Sequence, residues 1–158
     1  PVDQARNDPQ FQALKTDEKA FLEKYRGMGE AERAQVDYDA KRWGTYRFYQ
    51  DSLALRATSP AFDADAEVKR VYSHNENAVA AFTRKKGNDE FLVVTSFNKN
   101  DFSRYGMDLP PGRWQEVMNS DGGKYGGDNF GNFGATVNGG NSQINIPGGG
   151  LVVFKRVG

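Results

Sequence analysis

The 158-residue sequence contains no cysteine and only one histidine, His74. Without cysteine the chain can form no disulfide bond, no thiolate metal site and no cysteine nucleophile. A pair of catalytic histidines is excluded, and any catalytic triad that uses histidine would have to use His74. We interpret His74 as a solvated turn residue. The acidic run from Asp63 to Glu67 lacks the glycine and the later glutamate of a calcium loop. We therefore expect no cofactor and no metal ion, and the missing cysteines favour a cytoplasmic protein.

The sequence also lacks an excess of charge and a long hydrophobic run. Lysine and arginine together equal aspartate and glutamate together at 21 each, so nothing favours nucleic acid or an anionic membrane as a partner. No apolar run approaches the roughly 18 residues of a membrane-spanning helix. The chain opens at Pro1 without a methionine, so we expect a fragment or a processed product.

The first third of the sequence has helical periodicity. Asp8 and Pro9 predict a helix start, and a second helix is predicted from Glu30 or Asp39 to about Ala57. Its wide apolar face predicts docking against a large partner surface. We interpret the members of that face as core residues: Trp43, Tyr46, Tyr49 and Leu53, widened by Phe48 and Leu55.

From Val68 onward the apolar residues alternate with a period of two. The stretch from Glu76 to Asn98 predicts two strands joined at Gly87-Asn88, with Leu92-Val93-Val94 in a central strand covered on both faces. Seven short strands separated by glycine and proline turns indicate an antiparallel β-sandwich. The predicted strands are 68–73, 78–85, 91–97, 104–109, 113–118, 143–146 and 151–157, with a long ordered loop within the glycine-rich region 122–150.

The loop 119–134, NSDGGKYGGDNFGNFG, interleaves aromatic rings with amides and carboxylates. Sugar rings need this combination, because their C–H faces stack on aromatic rings and their hydroxyl groups form hydrogen bonds. The competing interpretation is that the aromatic side chains anchor the loop to the sandwich. The candidate glucan-contacting residues are Tyr125, Asp128, Asn129, Phe130 and Asn132.

Several motifs resemble one known family. The run RYGMDLPPGRWQEVMNSDGGKYGGDNFGN, residues 104–132, resembles the C-terminal β-domain of 1,4-α-glucan (glycogen) branching enzymes of the α-amylase superfamily. FLVVTSFN at 91–98 and the final apolar strand at 151–154 are similar to runs in that domain. LALRATSPAF at 53–62 resembles the end of the last barrel helix in the superfamily. The resemblance covers about residues 40–158 and leaves 1–38 unmatched.

The resemblance implies a Greek-key β-sandwich of the α-amylase C-terminal type, preceded by helices. Residues 1–62 would be a helical segment ending the barrel region, and 63–158 the all-β domain. The parent enzyme would transfer α-1,4-glucan segments to form α-1,6 branches in glycogen biosynthesis. Its catalytic carboxylates belong to a barrel of roughly 250 residues, which this chain is too short to contain.

The chain itself is therefore expected to be non-catalytic. Its expected partners are the catalytic barrel of its own parent chain and, weakly, α-glucan. Two alternatives stay open at this point: another α-amylase relative, such as an amylase or a trehalohydrolase, and an independent carbohydrate-binding β-sandwich.

Overall fold

The computed structural model of the protein describes residues 18–158, which divide into two compact units between Trp43 and Gly44. Helix α1 spans Glu18–Gly27 and helix α2 spans Glu30–Thr58, so α2 contributes to both units. The start predicted for α2 at Glu30 is confirmed. The helix start predicted at Asp8-Pro9 lies outside the described residues.

The first unit contains α1 and the beginning of α2, with their connection at Met28-Gly29. The Glu32 carboxylate accepts a hydrogen bond from the Gly29 amide at 3.0 Å, which satisfies a free donor at the start of α2. The Arg33 guanidinium donates to the carbonyl of Arg26 at 2.8 Å and to that of Tyr25 at 3.2 Å. These bonds occupy carbonyl groups at the end of α1 that have no partner within the helix.

The second unit, Gly44–Gly158, contains the rest of α2 and six antiparallel strands. The strands lie in one sheet in the order β1-β2-β3-β6-β4-β5, which places the last strand between β3 and β4. The mainly β, antiparallel fold predicted after N-terminal helices is confirmed. The strands are β1 Glu67–His74, β2 Val79–Lys86, β3 Asp89–Ser96, β4 Phe102–Asn119, β5 Thr136–Ile146 and β6 Leu151–Arg156.

The predicted hairpin is formed by β2 and β3. Lys86 pairs with Asp89 across the two-residue turn, and Gly87 has a φ of 61°. A positive φ at the first central residue suits a type II′ turn, in which glycine avoids the strain of a side chain. Strand β3 also pairs with β6, so it is central, as predicted, and the side chains from Phe91 to Val94 are all buried.

The strands predicted at 104–109 and 113–118 are one 18-residue strand, β4, so that prediction was wrong in number. The register shifts between Leu109 and Arg113, where three residues bulge out of the ladder. The prolines in this bulge do not end the strand, because a bulged residue need not donate to the ladder. Trp114 spans the bulge by donating from Nε1 to the Pro110 carbonyl at 2.8 Å.

Strand β4 bends at the bulge, and the sheet closes over one main core. The segment after Arg113 pairs with both β5 and β6, whereas the segment before Leu109 pairs with β5 alone. Side chains from both ends of the sheet consequently meet in one buried cluster. Its members are Val79, Ala81, Leu92, Val94, Met107, Leu109, Trp114, Ile144, Ile146, Val152 and Phe154. The sandwich therefore has two layers that belong to one continuous curled sheet.

The C-terminal part of α2 packs on the outer face of β3 and β6. Alternation along β3 sends Leu92 and Val94 into the main core and Phe91 and Val93 to this outer face. A second cluster forms there from Ala61, Phe91, Val93, Met118, Tyr125 and Val153, with Phe48, Leu55, Phe62, Phe82 and Leu151 packed against it. The helix is thus the cover that makes β3 a two-sided buried strand.

Only part of the apolar face predicted on α2 docks in this way. Phe48 and Leu55 pack on the sheet, but Tyr49 is 64% exposed and Leu53 is 63% exposed, so their prediction as core residues was wrong. An α-helix has 3.6 residues per turn, so residues 44, 48 and 55 lie on the side of α2 that faces the sheet. Residues 49 and 53 lie on a different side of the helix. The second unit therefore presents an apolar helix surface to solvent.

Candidate functional site

The loop from Ser120 to Ala135 connects β4 to β5 and is organised by the buried carboxylate of Glu116. Oε2 of Glu116 accepts hydrogen bonds from the Asn132 backbone at 2.9 Å and from Asn132 Nδ2 at 2.8 Å. Oε1 accepts a third hydrogen bond from the Gly134 backbone at 3.1 Å. A buried carboxylate is costly unless it is hydrogen-bonded, so these three donors both satisfy Glu116 and fix the loop around residue 133.

A second carboxylate, that of Asp121, fixes the preceding part of the loop. Oδ2 of Asp121 accepts from the Phe130 backbone at 2.8 Å, and Oδ1 accepts from the Asp128 backbone at 3.3 Å. The carbonyl of Asp121 accepts from the Asn129 backbone at 2.8 Å. The long loop is therefore held by side chains at both ends, although it forms no strand of its own.

Asn132 also joins the loop to strand β5. Its Oδ1 accepts from the Asn145 backbone at 2.8 Å and its Nδ2 donates to the Asn145 carbonyl at 3.0 Å. Nδ2 of Asn145 donates in return to the Gly131 carbonyl at 2.9 Å. The Asn132 side chain thus imitates a neighbouring strand, and its polar atoms are occupied within the protein.

Tyr125 anchors the loop to helix α2 within the second unit. It is only 7% exposed, and its ring lies edge-on to Phe48 with the centroids 5.3 Å apart. Its hydroxyl group donates to Asp51 Oδ2 at 2.7 Å, and Lys124 Nζ lies 2.6 Å from the same oxygen. Hydrogen bonds from Lys124 and then from Tyr125 lower the pKa of the Asp51 carboxyl group. A Cβ atom at Gly44 would collide with the Tyr125 carbonyl, so the helix can approach this closely only with glycine at 44.

The five predicted glucan-contacting residues have different environments. Tyr125 is buried and Asn132 is bonded internally, whereas Phe130 is half-buried. Asp128 and Asn129 are exposed. Binding of glucan by this set stays a prediction, and the structure supplies an anchoring role for Tyr125 in addition.

The predicted set omits Phe133 and Glu116. Phe133 is 80% exposed and has a φ of 54°, which is an outlier for a bulky residue and costs roughly 1–3 kcal/mol. Glu116 could have been found from the alternation in β4, because it stands midway between the buried residues Trp114 and Met118 and is buried as they are. No pattern in the sequence distinguishes the exposure of Phe133 from that of Phe130.

Phe133 borders a shallow depression of about 320 Å³. The exposed side chain of Val117 and the polar side chains of Lys124 and Asn129 line it as well. Asn129 accepts a hydrogen bond at Oδ1 from the Gly123 backbone at 2.6 Å, which orients its Nδ2 as the free end of the amide. The lining of the depression therefore includes an exposed aromatic residue, an asparagine and a lysine.

Other polar groups of the described residues have structural roles. His74 was predicted in a solvated turn, but it is the half-buried last residue of β1, paired with Val79. Its Nδ1 accepts a hydrogen bond from the Asn77 backbone at 3.2 Å, which fixes the turn that follows the strand. Asp63 and Asp65 bond Lys86 Nζ at 2.8 and 2.7 Å, and these bonds raise the pKa of Lys86. Within residues 18–158, no group of three acidic, histidine or cysteine residues is placed to hold a metal ion, and no helix is long and apolar enough to cross a membrane.

Comparison with known families identifies the domain. The family described as "Alpha amylase, C-terminal all-beta domain" matches residues 71–157, which is more than half of the chain. The chain belongs to this family. The match covers most of the sheet, so the fold and the family assignment agree.

The chain is also similar in sequence to individual proteins whose names include an activity. A 1,4-alpha-glucan branching enzyme of Trichodesmium erythraeum is 33% identical over 67% of the chain, and one of Frankia casuarinae is 43% identical over 61%. The chain spans only 15% and 13% of these two proteins, respectively. Among solved structures, the α-amylase of H. orenii is 18% identical with a TM-score of 0.49, and covers 70% of this chain and 20% of its own length. The family assignment rests on the sequence matches.

Proposed function

We propose that this chain is the C-terminal part of a 1,4-α-glucan branching enzyme that acts in glycogen biosynthesis in the cytoplasm. The observation that carries the proposal is the match of two-thirds of the chain to branching enzymes, with 33% identity in one relative and the family match to residues 71–157. The parent enzyme would cleave an α-1,4 linkage, hold the glucan as a covalent glycosyl-enzyme and transfer it to a 6-hydroxyl group. Residues 1–62 would belong to the barrel region and 63–158 would form the all-β domain.

The chain would support this reaction without carrying it out. Retaining glycosidic chemistry needs two carboxyl groups about 5–5.5 Å apart beside the scissile bond. The two carboxylates that hold the loop are occupied by backbone amides: Glu116 binds Asn132 and Gly134, and Asp121 binds Phe130. Their role is therefore to fix a loop, and the reacting carboxylates would come from the barrel of the parent chain.

The barrel is also the partner that the exposed side of α2 would contact. Tyr49 and Leu53 lie one turn apart on the exposed side of the helix, and the next turn adds Ala57. A contiguous apolar helix face of this kind gains stability when a partner surface covers it. The opposite side already covers the sheet through Phe48 and Leu55, so the helix would lie between the β-domain and the barrel.

Glucan contact at the loop is the second part of the proposal. Asp128 and Asn129 are exposed on a loop that two carboxylates hold rigid, which favours them as hydrogen-bonding partners of glucan hydroxyl groups. Tyr125, Phe130 and Asn132 would support the contact by fixing the backbone beside them. Such a contact would guide the glucan chain without reacting with it.

The test is a branching assay on the protein encoded by the complete reading frame that contains this chain. We expect that protein to lower the iodine colour of amylose and to create branches that a debranching enzyme removes. Hydrolysis without new branches would favour another α-amylase relative. A complete reading frame without a barrel, or a full-length protein without activity on α-glucans, would overturn the proposal.

The apolar helix face is tested in the same full-length protein. Replacement of Leu53 by aspartate should lower the melting temperature of the full-length protein by several degrees, because it places a charge against the barrel. The same replacement in the 158-residue chain should have little effect, since Leu53 is exposed there. Lys69→Asp, at an exposed position of β1, is the matched control. Equal effects of Leu53→Asp in both proteins would contradict the barrel contact.

A further inference from the structure

Phe133 is held in an exposed position by the protein itself. The Asn132 and Gly134 amides, on either side of Phe133, bind the two oxygens of the same buried carboxylate, Glu116. The backbone therefore arches over Glu116 and carries Phe133 at its top, in a left-handed conformation with a φ of 54°. Among the described residues, Phe133 has no aromatic ring contact, so neither packing nor backbone preference explains this arrangement.

The ring borders the depression of about 320 Å³, which lies at the small end of the range of ligand pockets, roughly 300–1,000 Å³. The Nδ2 group of Asn129 is available there, because only Oδ1 of this side chain bonds within the described protein. Lys124 also lines the depression, but its Nζ bonds Asp51 at 2.6 Å and lies 4.7 Å from the centroid of the Tyr125 ring. One exposed aromatic ring and one amide donor therefore border a small open site, with a lysine beside them.

We propose that this depression binds a single sugar ring of an α-glucan. The C–H face of the ring would stack on Phe133, with Val117 beside it, and its hydroxyl oxygens would accept hydrogen bonds from Asn129 Nδ2 and Lys124 Nζ. The choice of α-glucan rests on the proposed function, whereas the choice of a sugar ring rests on the site. Glu116 acts as a positioning residue, since it orients Phe133 without touching the ligand.

The chemistry of the site favours a sugar over other ligands. A wholly apolar ligand needs an enclosed apolar pocket, whereas this depression is open and lined with polar groups. A stable protein partner needs an interface of about 1,000 Å² or more, which one ring and Val117 do not supply. A sugar ring has an apolar face and a polar edge, and it matches a platform of one aromatic side chain bordered by donors.

The affinity of one platform should be weak. A dissociation constant near 1 mM is the expected order for a single small contact, and such a site gains effect when it is tethered beside other sites on the same chain. The site would therefore hold a passing glucan chain close to the protein, and it would not bind free glucose tightly.

The experiment titrates the isotope-labelled 158-residue chain with maltoheptaose and follows amide chemical shifts. We expect saturable shifts confined to residues 117, 123, 124, 129 and 131–134. Phe133→Ala should weaken the response by roughly two- to tenfold, the effect of losing one stacking contact. Phe97→Ala is the matched control, because Phe97 is 76% exposed directly after β3 and its replacement should leave binding unchanged.

A second variant distinguishes loss of the Asn129 Nδ2 donor from loss of the loop structure. Asn129→Asp keeps the acceptor for the Gly123 amide and tolerates the φ of 63° at this position, but it removes the Nδ2 donor. It should weaken maltoheptaose binding severalfold at an unchanged melting temperature. Glu116→Gln should weaken binding as well, and exchange at the Asn132 and Gly134 amides should report the loosened arch directly.

The outcomes separate this proposal from the proposed function. Absence of a maltoheptaose response in the wild-type chain, or an undiminished response in Phe133→Ala, would overturn the sugar site whatever the activity of the full-length protein. A response to cellohexaose alone would overturn the assignment to α-glucan. A Phe133-dependent maltoheptaose response supports the site, and it does so even if the full-length protein fails the branching assay and the proposed function falls.

Discussion

The hydroxyl group of Tyr125 donates a 2.7 Å hydrogen bond to Asp51, and this bond joins the β4–β5 loop to helix α2. Lys124 adds its ammonium group to the same carboxylate oxygen. The helix that covers the sheet and the loop that borders the depression are therefore joined at a single carboxylate. The position of the loop should therefore depend on whether the Asp51 carboxyl group is ionised.

Acid should weaken this connection. The hydrogen bonds from Lys124 and Tyr125 lower the pKa of Asp51 below 3.8, so its stabilising effect is fully present above pH 3.8 and is lost as the pH falls through the lowered pKa. Asp51→Asn should reduce the acid dependence of unfolding in this range. Asp108→Asn, at an exposed position of β4, should leave it unchanged. Identical acid unfolding curves for wild type and Asp51→Asn would contradict the connection.

Tyr125→Phe tests the hydrogen bond from the uncharged Tyr125 hydroxyl group to Asp51 at pH 7. It removes one hydrogen bond and retains the ring contact with Phe48, so we expect a loss of about 1 kcal/mol in the free energy of unfolding. Urea denaturation measures the change. Tyr49→Phe is the control, because Tyr49 is exposed on the other side of α2. A loss in the control equal to that in Tyr125→Phe would show that the Asp51 bond is not the cause.

Gly44→Ala should push helix α2 and the loop apart through a steric clash. An added Cβ would meet the Tyr125 carbonyl, so the backbone must shift and we expect a loss of roughly 1–3 kcal/mol. Gly27→Ala is the matched control at the end of α1, since nothing lies within 4 Å of its added Cβ. Thermal unfolding compares the two. Stabilisation by Gly44→Ala, as expected from helix propensity alone, would contradict the close approach.

The sequence predicts the parts of the fold that depend on local patterns. Alternation and the Gly87-Asn88 turn suffice for the hairpin, and a run apolar on both faces suffices to make β3 central. The Pro-Pro-Gly run at 110–112 misleads, because a bulge and a turn use the same residues. Whether a strand continues past a bulge depends on the partner strands, which a local pattern does not contain.

The side chains of the candidate site are harder to predict for the same reason. Tyr125 and Phe133 are both aromatic residues in a glycine-rich loop, yet one is 7% and the other 80% exposed. Their difference follows from two long-range contacts, that of Tyr125 with Asp51 and that of the loop with Glu116. Aromatic residues beside amides therefore indicate a sugar site in general, but only the folded loop shows which ring is free.

Replacement of Glu116 should have the largest effect on the stability of the loop. Gln has one acceptor oxygen and an amide donor where the carboxylate has two acceptors, so Glu116→Gln leaves a backbone amide of Asn132 or Gly134 facing another donor. A buried donor without a partner costs about 1–3 kcal/mol, and urea denaturation should show a loss of this size. Glu67→Gln, at an exposed position of β1, should change stability by less than about 0.5 kcal/mol. Hydrogen exchange should locate the effect, with faster exchange at 132–134 and unchanged protection in β3 and β6. Uniform loss of protection across the sheet would mean that Glu116 supports the core and that the loop has no independent clamp.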